Sequence, residues 1–245
     1  MSTRILMVGA KGRMGQAIVR LARAAADFAV AGEADLGDAL PPLLADADAV
    51  IDFSHHGNTL TVARLAADRG VPLVVGTTGH DEAVKQQVLA CGDRIPLIFS
   101  ANYSVGVNTL FYLTQIAAAV LRDGFDVEVV EMHHRHKRDA PSGTARTLVE
   151  ILAAAQGSTS AALAQHGRVG EPGPRSAAEI GVHALRGGDV VGDHTVIFAA
   201  DGERVELAHK ASSRDTFAAG ALRAAAWLQG RAPGVYAMFD VLGFK

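Results

Sequence analysis

Short apolar runs alternate with longer amphipathic stretches through the first hundred residues. Ile5-Leu6-Met7-Val8 is uninterrupted and apolar, which predicts a buried strand over 4–9. Over 14–26, Ile18, Val19, Leu21 and Ala22 gather on one side, which predicts a helix. Further strands are predicted at 28–32, 49–53, 71–75 and 95–99. Helices at 58–69 and 81–90 lie between them, with Asn58 and Asp81 placed to cap their N-termini. Strand and helix alternating at this spacing predict an α/β fold, a doubly wound Rossmann-type domain with a parallel sheet.

The rhythm changes after about residue 104. A long helix is predicted at 107–121. The strand at 127–133 sets Val127, Val129 and Glu131 against Glu128, Val130 and Met132. A helix at 142–155 is followed by Gly, Ser and Pro-rich sequence over 156–176, which predicts a long loop. Strands at 179–185, 195–200 and 205–209 and a final helix at 216–229 complete the pattern. This half predicts an α+β domain with a mixed open sheet.

Composition narrows the functional classes. The 245 residues have room for one large domain or two modest ones. A net charge of -3 and a pI near 6.4 give no general attraction to nucleic acid or to an anionic membrane. Any basic patch must then be local and serve a small anion. The single cysteine, Cys91, excludes an internal disulfide and reads as a buried spectator thiol. The N-terminus lacks a signal-peptide layout, and no apolar stretch reaches the roughly 20 residues of a membrane helix. The expected location is cytoplasmic.

Gly9-Ala10-Lys11-Gly12-Arg13-Met14-Gly15 lies between the first strand and the first helix. Gly9 permits a tight turn, Gly12 lets backbone approach a pyrophosphate, and Gly15 permits close helix–strand packing. Free N–H groups at the helix start suit phosphate, and Lys11 and Arg13 add positive charge. Either Glu33 or Asp35, about 20 residues on, could hold a ribose hydroxyl.

The densest chemistry is Glu131-Met132-His133-His134-Arg135-His136-Lys137-Arg138-Asp139-Ala140-Pro141-Ser142-Gly143-Thr144. If the backbone stays extended, His133, Arg135 and Lys137 share one face. Such crowding of cations favours a bound anion. Ser142 is a good N-cap, and the amides of Gly143 and Thr144 would point outward at a helix start, ready for carboxylate or phosphate. A metal site on His133, His134 and His136 is disfavoured by the adjacent cations, so no metal is expected. A nucleic-acid patch is disfavoured by the acidic pI and the lack of interleaved aromatics.

With these motifs in hand, the chain resembles the dihydrodipicolinate (4-hydroxy-tetrahydrodipicolinate) reductases. The resemblance rests on Val8 to Gly15, Ile51-Asp52-Phe53-Ser54, Val75-Gly76-Thr77-Thr78-Gly79 and Ala101 to Asn108. It continues through the His-rich segment and His209-Lys210-Ala211-Ser212-Ser213-Arg214. It implies a dinucleotide-binding domain over 1–104 and 214–245, and a substrate-binding, tetramerising domain over 105–213. It also implies NADH and/or NADPH as coenzyme, a small cyclic dicarboxylate as substrate and a homotetramer. Gly9, Ala10, Lys11, Gly12, Arg13 and Met14 match the phosphate binders, and Asp35 matches the ribose acid better than Glu33. Gly76, Thr77, Thr78, Ser100, Ala101, Asn102 and Tyr103 match the nicotinamide end. His133 and Lys137 match the proton-transfer pair, and His134, Gly143 and Thr144 the carboxylate binders; the Ser142 helix start is read with His134 and Lys137 as a clamp for substrate carboxylates. Where some members carry arginines suited to a 2′-phosphate, this chain has Leu36 and His55. Two rival readings are a dehydrogenase of a linear amino acid and a non-catalytic nucleotide sensor.

Overall fold

A computed structural model describes residues 2–244. The chain forms two compact units. One ends at Val105 and resumes at Arg214, and the other runs from Gly106 to Ser213.

The first unit opens with β1 (Thr3–Val8), α1 (Arg13–Ala24), β2 (Phe28–Ala34), α2 (Leu40–Leu44), β3 (Ala49–Asp52) and α3 (His56–Arg69). It continues with β4 (Leu73–Val75), α4 (Glu82–Ala90) and β5 (Pro96–Phe99). The strands form a parallel sheet ordered β11-β5-β4-β3-β1-β2, where β11 (Gly234–Tyr236) comes from the end of the chain. Apolar side chains leave both faces. Ile5, Met7 and Ile51 join one core with Ile18 and Val19, while Leu6, Val8 and Val50 join another with Val62 and Ala66. A sheet buried on both sides explains the unbroken apolar runs. Each fully buried Ile or Leu contributes on the order of 1.5–3 kcal/mol.

The second unit contains α5 (Val105–Val120, its first residue belonging to the other unit), β6 (Asp126–His133), α6 (Gly143–Ala155), α7 (Ser160–Leu163) and β7 (Ala164–His166). It ends with β8 (Ile180–Arg186), β9 (Gly192–Ala200) and β10 (Glu203–Ala211). The sheet order is β10-β9-β6-β8-β7. β9 is antiparallel to β6 and β10, whereas β6, β8 and β7 run parallel, so the sheet is mixed as expected. β6 buries alternate residues: Val127, Val129, Glu131 and His133. α8 (Asp215–Trp227) and α9 (Met238–Leu242) return to the first unit, where α8 buries Ala218, Ala221 and Leu222.

Three local expectations need correction. His55, not Asn58, caps α3, because its Nδ1 accepts the Gly57 N–H at 3.1 Å. The 156–176 stretch holds α7 and β7, too short to leave a periodic signal. The backbone does not stay extended to Lys137. Strand β6 stops at His133, and Lys137 N–H donates to His134 O at 3.1 Å across a turn. Asp81 and Ser142 cap α4 and α6 as expected, accepting from Val84 N and Ala145 N.

Candidate active site

In the first unit, β2 and β3 flank β1, so the chain reverses direction of progress beside β1. The crevice at the C-terminal ends of β1 and β3 is therefore the expected ligand position. Gly9 leaves β1 with φ +86°, and a Cβ there would lie 2.4 Å from Phe53 O, at the end of β3. Gly12 occupies the N-cap of α1 with no side-chain hydrogen bond to the helix, which keeps the first amides open to an anion. A Cβ on Gly15 would lie 2.1 Å from Gly9 O, so the close approach of α1 to the turn depends on that glycine.

Asp35 follows β2 directly. Its Oδ2 accepts Lys11 N–H at 2.8 Å and its Oδ1 accepts Leu36 N–H at 2.9 Å. These two amides, Leu36 first, hold its carboxyl below the ordinary aspartate value. Glu33 points to Arg23 instead, at 2.5 Å. Of the two acids left open by spacing, only Asp35 bonds the glycine turn. At the end of β4, Gly76 lies against Phe53, whose ring atoms would be 2.2 Å from a Cβ there. Thr77 is buried and Thr78 exposed. Ser100 Oγ donates to Asn102 O at 2.9 Å, and Ala101 is exposed. Tyr103 is 1% exposed and donates to Val75 O at 2.7 Å, so its side chain belongs to the core.

The second unit gathers the His-rich segment around one buried carboxylate. Glu131 is 0% exposed. Its Oε2 accepts from His133 Nδ1 at 2.6 Å and from Arg186 Nη1 at 2.9 Å. Its Oε1 accepts from Ser142 N–H at 3.0 Å and from Arg186 Nη2 at 2.9 Å. Burial pushes Glu131 up, but Arg186, His133 and the Ser142 amide outweigh it and hold the carboxyl below its ordinary value. Across the sheet, Glu131 faces His194 of β9. The His194 ring meets the His133 ring edge-on at 5.1 Å, and its Nε2 lies 2.9 Å from Ser142 Oγ. Burial, with His133 alongside, pushes His194 down to about 3, which makes it a neutral ring. Lys137 pairs with Asp139 at 2.8 Å. His134 is half-buried beyond the strand end, and Gly143 and Thr144 open α6.

The structure thus brings His133 and Ser142 onto one carboxylate. Two participants escaped the sequence reading, Arg186 and His194, and a third, Glu131, was noticed but given no role. Alternation along β6 already put Glu131 on the face of Val127 and Val129, where an unpaired carboxylate would be costly. That was a usable signal. Arg186 and His194 come from strands 55 and 52 residues away from their partners, and local pattern does not reach so far. Among the described residues no group of His, Cys, Asp and Glu is disposed to hold a metal ion, and no helix is long and apolar enough to cross a membrane.

Comparison with known proteins supplies the context. The family models described as "Dihydrodipicolinate reductase, N-terminus" and "Dihydrodipicolinate reductase, C-terminus" match residues 3–103 and 106–242. The 4-hydroxy-tetrahydrodipicolinate reductase of Akkermansia muciniphila is 58% identical over 98% of both chains. That of Thiobacillus denitrificans is 46% identical over 100% of both. The solved dipicolinate-bound dihydrodipicolinate reductase of Paenisporosarcina sp. TG-14 shares the fold. It has a TM-score of 0.79 at 21% identity and covers 98% of this chain and 99% of its own.

Proposed function

The chain belongs to the dihydrodipicolinate reductase family, and on that premise we propose that it reduces 4-hydroxy-tetrahydrodipicolinate to tetrahydrodipicolinate on the route to diaminopimelate and lysine. It is an oxidoreductase that uses a nicotinamide coenzyme. The observation that carries the substrate reading is Glu131, which ties the His133 ring to Ser142 at the start of α6. A group able to donate a proton and a helix start able to bind carboxylate thereby form one rigid cluster.

The residues present fit the coenzyme. Gly9 and Gly15 let the turn and α1 close onto neighbouring backbone, Gly12 leaves the start of α1 without a side chain, and Asp35 stands beside the turn with lone pairs for ribose hydroxyls. Gly9, Ala10, Lys11, Gly12, Arg13 and Met14 would hold the pyrophosphate. Gly76, Thr77, Thr78 and the stretch 100–103 would hold the nicotinamide end, with Tyr103 acting through its backbone. When bound, the coenzyme would supply a hydride to C4 of the substrate ring, the 4-hydroxyl having left as water with a hydrogen from the neighbouring ring carbon.

In the second unit, His134, Gly143 and Thr144 bind the two carboxylates, together with the Lys137 ammonium, while Ser142, buried with its amide on Glu131 and its hydroxyl on Ala145 N and His194, sets the start of α6 and is not itself a binder. His133, aided by Lys137, protonates the enamine left after reduction. The chain works in the cytoplasm as a homotetramer held by the second unit. β10 supports that assembly, because it ends its sheet and offers a backbone edge to another copy.

A coupled assay with freshly made substrate, following NADH and NADPH separately, tests the activity. Pyridine-2,6-dicarboxylate carries the same two carboxylates on a planar ring and accepts no hydride, so it should compete with substrate. A linear amino acid consumed in its place, or no competition at millimolar inhibitor, would overturn the substrate reading.

NADH should serve at least as well as NADPH. Asp35 is ionised and bonded to the glycine turn, so it favours free ribose hydroxyls and repels a 2′-phosphate. Leu36, 91% exposed, offers that phosphate no charge. Separate kcat/KM values check this. A hundredfold advantage for NADPH, about 2.7 kcal/mol, would mean that other cations outweigh Asp35.

A further inference from the structure

We propose that Glu131 is a positioning residue that keeps His133 in the one proton arrangement able to protonate the reduced ring, with Arg186 and the Ser142 amide holding Glu131 in place. This rests on the reading of His133 as proton donor.

An ionised carboxylate accepts hydrogen bonds and donates none. Glu131 has four groups around its two oxygens, and three of them are donors by nature: Nη1 and Nη2 of Arg186 and the Ser142 N–H. The carboxylate therefore stays ionised, and the fourth group, Nδ1 of His133 at 2.6 Å, must carry a hydrogen. A neutral His133 then has its hydrogen on Nδ1 and a bare Nε2, and a protonated His133 has hydrogens on both. Nε2 is the atom at which a proton comes and goes. Gly192 keeps that side of the ring clear, since a Cβ there would lie 3.0 Å from Nε2.

The step balances. The Nε2–H bond breaks as a ring carbon of the enamine gains a C–H bond. The imidazolium becomes a neutral imidazole whose Nδ1–H remains on Glu131, and Nε2 later takes a proton from solvent. Arg186 is itself anchored, donating to Leu185 O at 2.6 Å and Asp139 O at 2.7 Å, so the carboxylate has no freedom to follow another partner.

An amide cannot replace this carboxylate. Glu131→Gln keeps the shape but turns an –NH2 toward Arg186 Nη2 and Ser142, or toward Arg186 Nη1 and His133. Either choice sets a donor against Arg186. The second also forces Nδ1 to accept, which moves the neutral proton to Nε2 and disfavours the imidazolium. Where a carboxylate fixes a catalytic imidazole in this way, the amide variant loses about 10⁴ in turnover. Protonation of a carbon here is one step among several, so we expect a kcat loss of at least about thirtyfold.

The test compares the unmodified chain with Glu131→Gln. In the variant kcat should fall at least thirtyfold, while Kd for pyridine-2,6-dicarboxylate and for NADH stay within threefold. A purely structural role would instead weaken dicarboxylate binding along with turnover. Because the variant could fail to fold, histidine ¹⁵N NMR of the unmodified protein gives an independent arm. His133, assigned by difference from His133→Asn, should show a neutral form protonated on Nδ1. A neutral form protonated on Nε2, a variant within threefold of normal turnover, or an equal loss of dicarboxylate affinity would each overturn the proposal. An unmodified chain that does not turn over the substrate would remove the functional reading and this proposal together. An active chain with an equally active variant would remove the proposal alone.

Discussion

His133→Ala should lower turnover of 4-hydroxy-tetrahydrodipicolinate by roughly a hundredfold or more, the range set by loss of a general acid. Substrate affinity should change far less, because a proton that moves after reduction contributes little to binding in the ground state. The fold should survive. Removing the imidazole takes one donor from Glu131, but both Arg186 nitrogens and the Ser142 amide remain. One lost hydrogen bond to a charged group costs about 1.5–3 kcal/mol. Coenzyme binding should also survive, since the glycine turn lies in the unit that excludes residues 106–213.

Lys137 provides the contrast. Its ammonium pairs with Asp139 at 2.8 Å and is partly exposed, so it is available to a carboxylate. Lys137→Ala removes a charge that acts in binding and in catalysis, so KM should rise and kcat fall together. Lys137→Arg should rescue only in part, because a planar fork replaces a compact ammonium. Steady-state kinetics on the authentic substrate, with coenzyme titrations alongside, separate these outcomes. Near-normal turnover of His133→Ala would refute its assigned role, and loss of coenzyme binding in the same variant would point to misfolding.

Much of this was readable along the chain wherever the physics is local. A buried parallel strand leaves an unbroken apolar run such as Ile5 to Val8, and a helix start leaves Asp81 or Ser142. The glycine turn was readable because only glycine fits at Gly9 and Gly15. What stayed hidden depends on pairing between distant segments. Nothing near Arg186 announces that it will neutralise Glu131, and nothing near His194 announces a neutral ring against Ser142. β11 pairs with β5 from the far end of the chain, and its three residues carry no period of their own. The turn at His134 to Lys137 was misread for a related reason. From His133 to Lys137 every residue is a histidine, arginine or lysine, so the residue types carry no mark of where β6 stops, and the turn is seen only in the backbone, where Lys137 N donates to His134 O.

Gly15→Ala should damage coenzyme binding and stability at once, whereas Gly12→Ala should damage binding alone. The two glycines sit three residues apart in one turn but face different neighbours. A Cβ on Gly15 would lie 2.1 Å from Gly9 O and 2.7 Å from Ala10 Cα. Both are backbone atoms, so no side chain can swing aside. Either α1 retreats from the turn or the turn deforms. Retreat would loosen Ile18, Val19 and Ala22, which are buried against Ile5 and Met7. Overpacking of this kind costs about 3 kcal/mol at its upper end, and deformation moves the amides that face the phosphates. Gly12 differs, because a Cβ there meets only Gly9 O, at 3.2 Å. That contact relaxes with a few tenths of an ångström of movement, but the methyl occupies the side from which a pyrophosphate would approach. Thermal melts without ligand should therefore show a clear loss for Gly15→Ala and little change for Gly12→Ala. NADH titrations should show affinity lowered roughly tenfold or more in both, about 1.4 kcal/mol. Full NADH affinity in Gly12→Ala would mean that the phosphates do not lie over this turn. An unchanged melt in Gly15→Ala would mean that α1 does not depend on the close approach seen here.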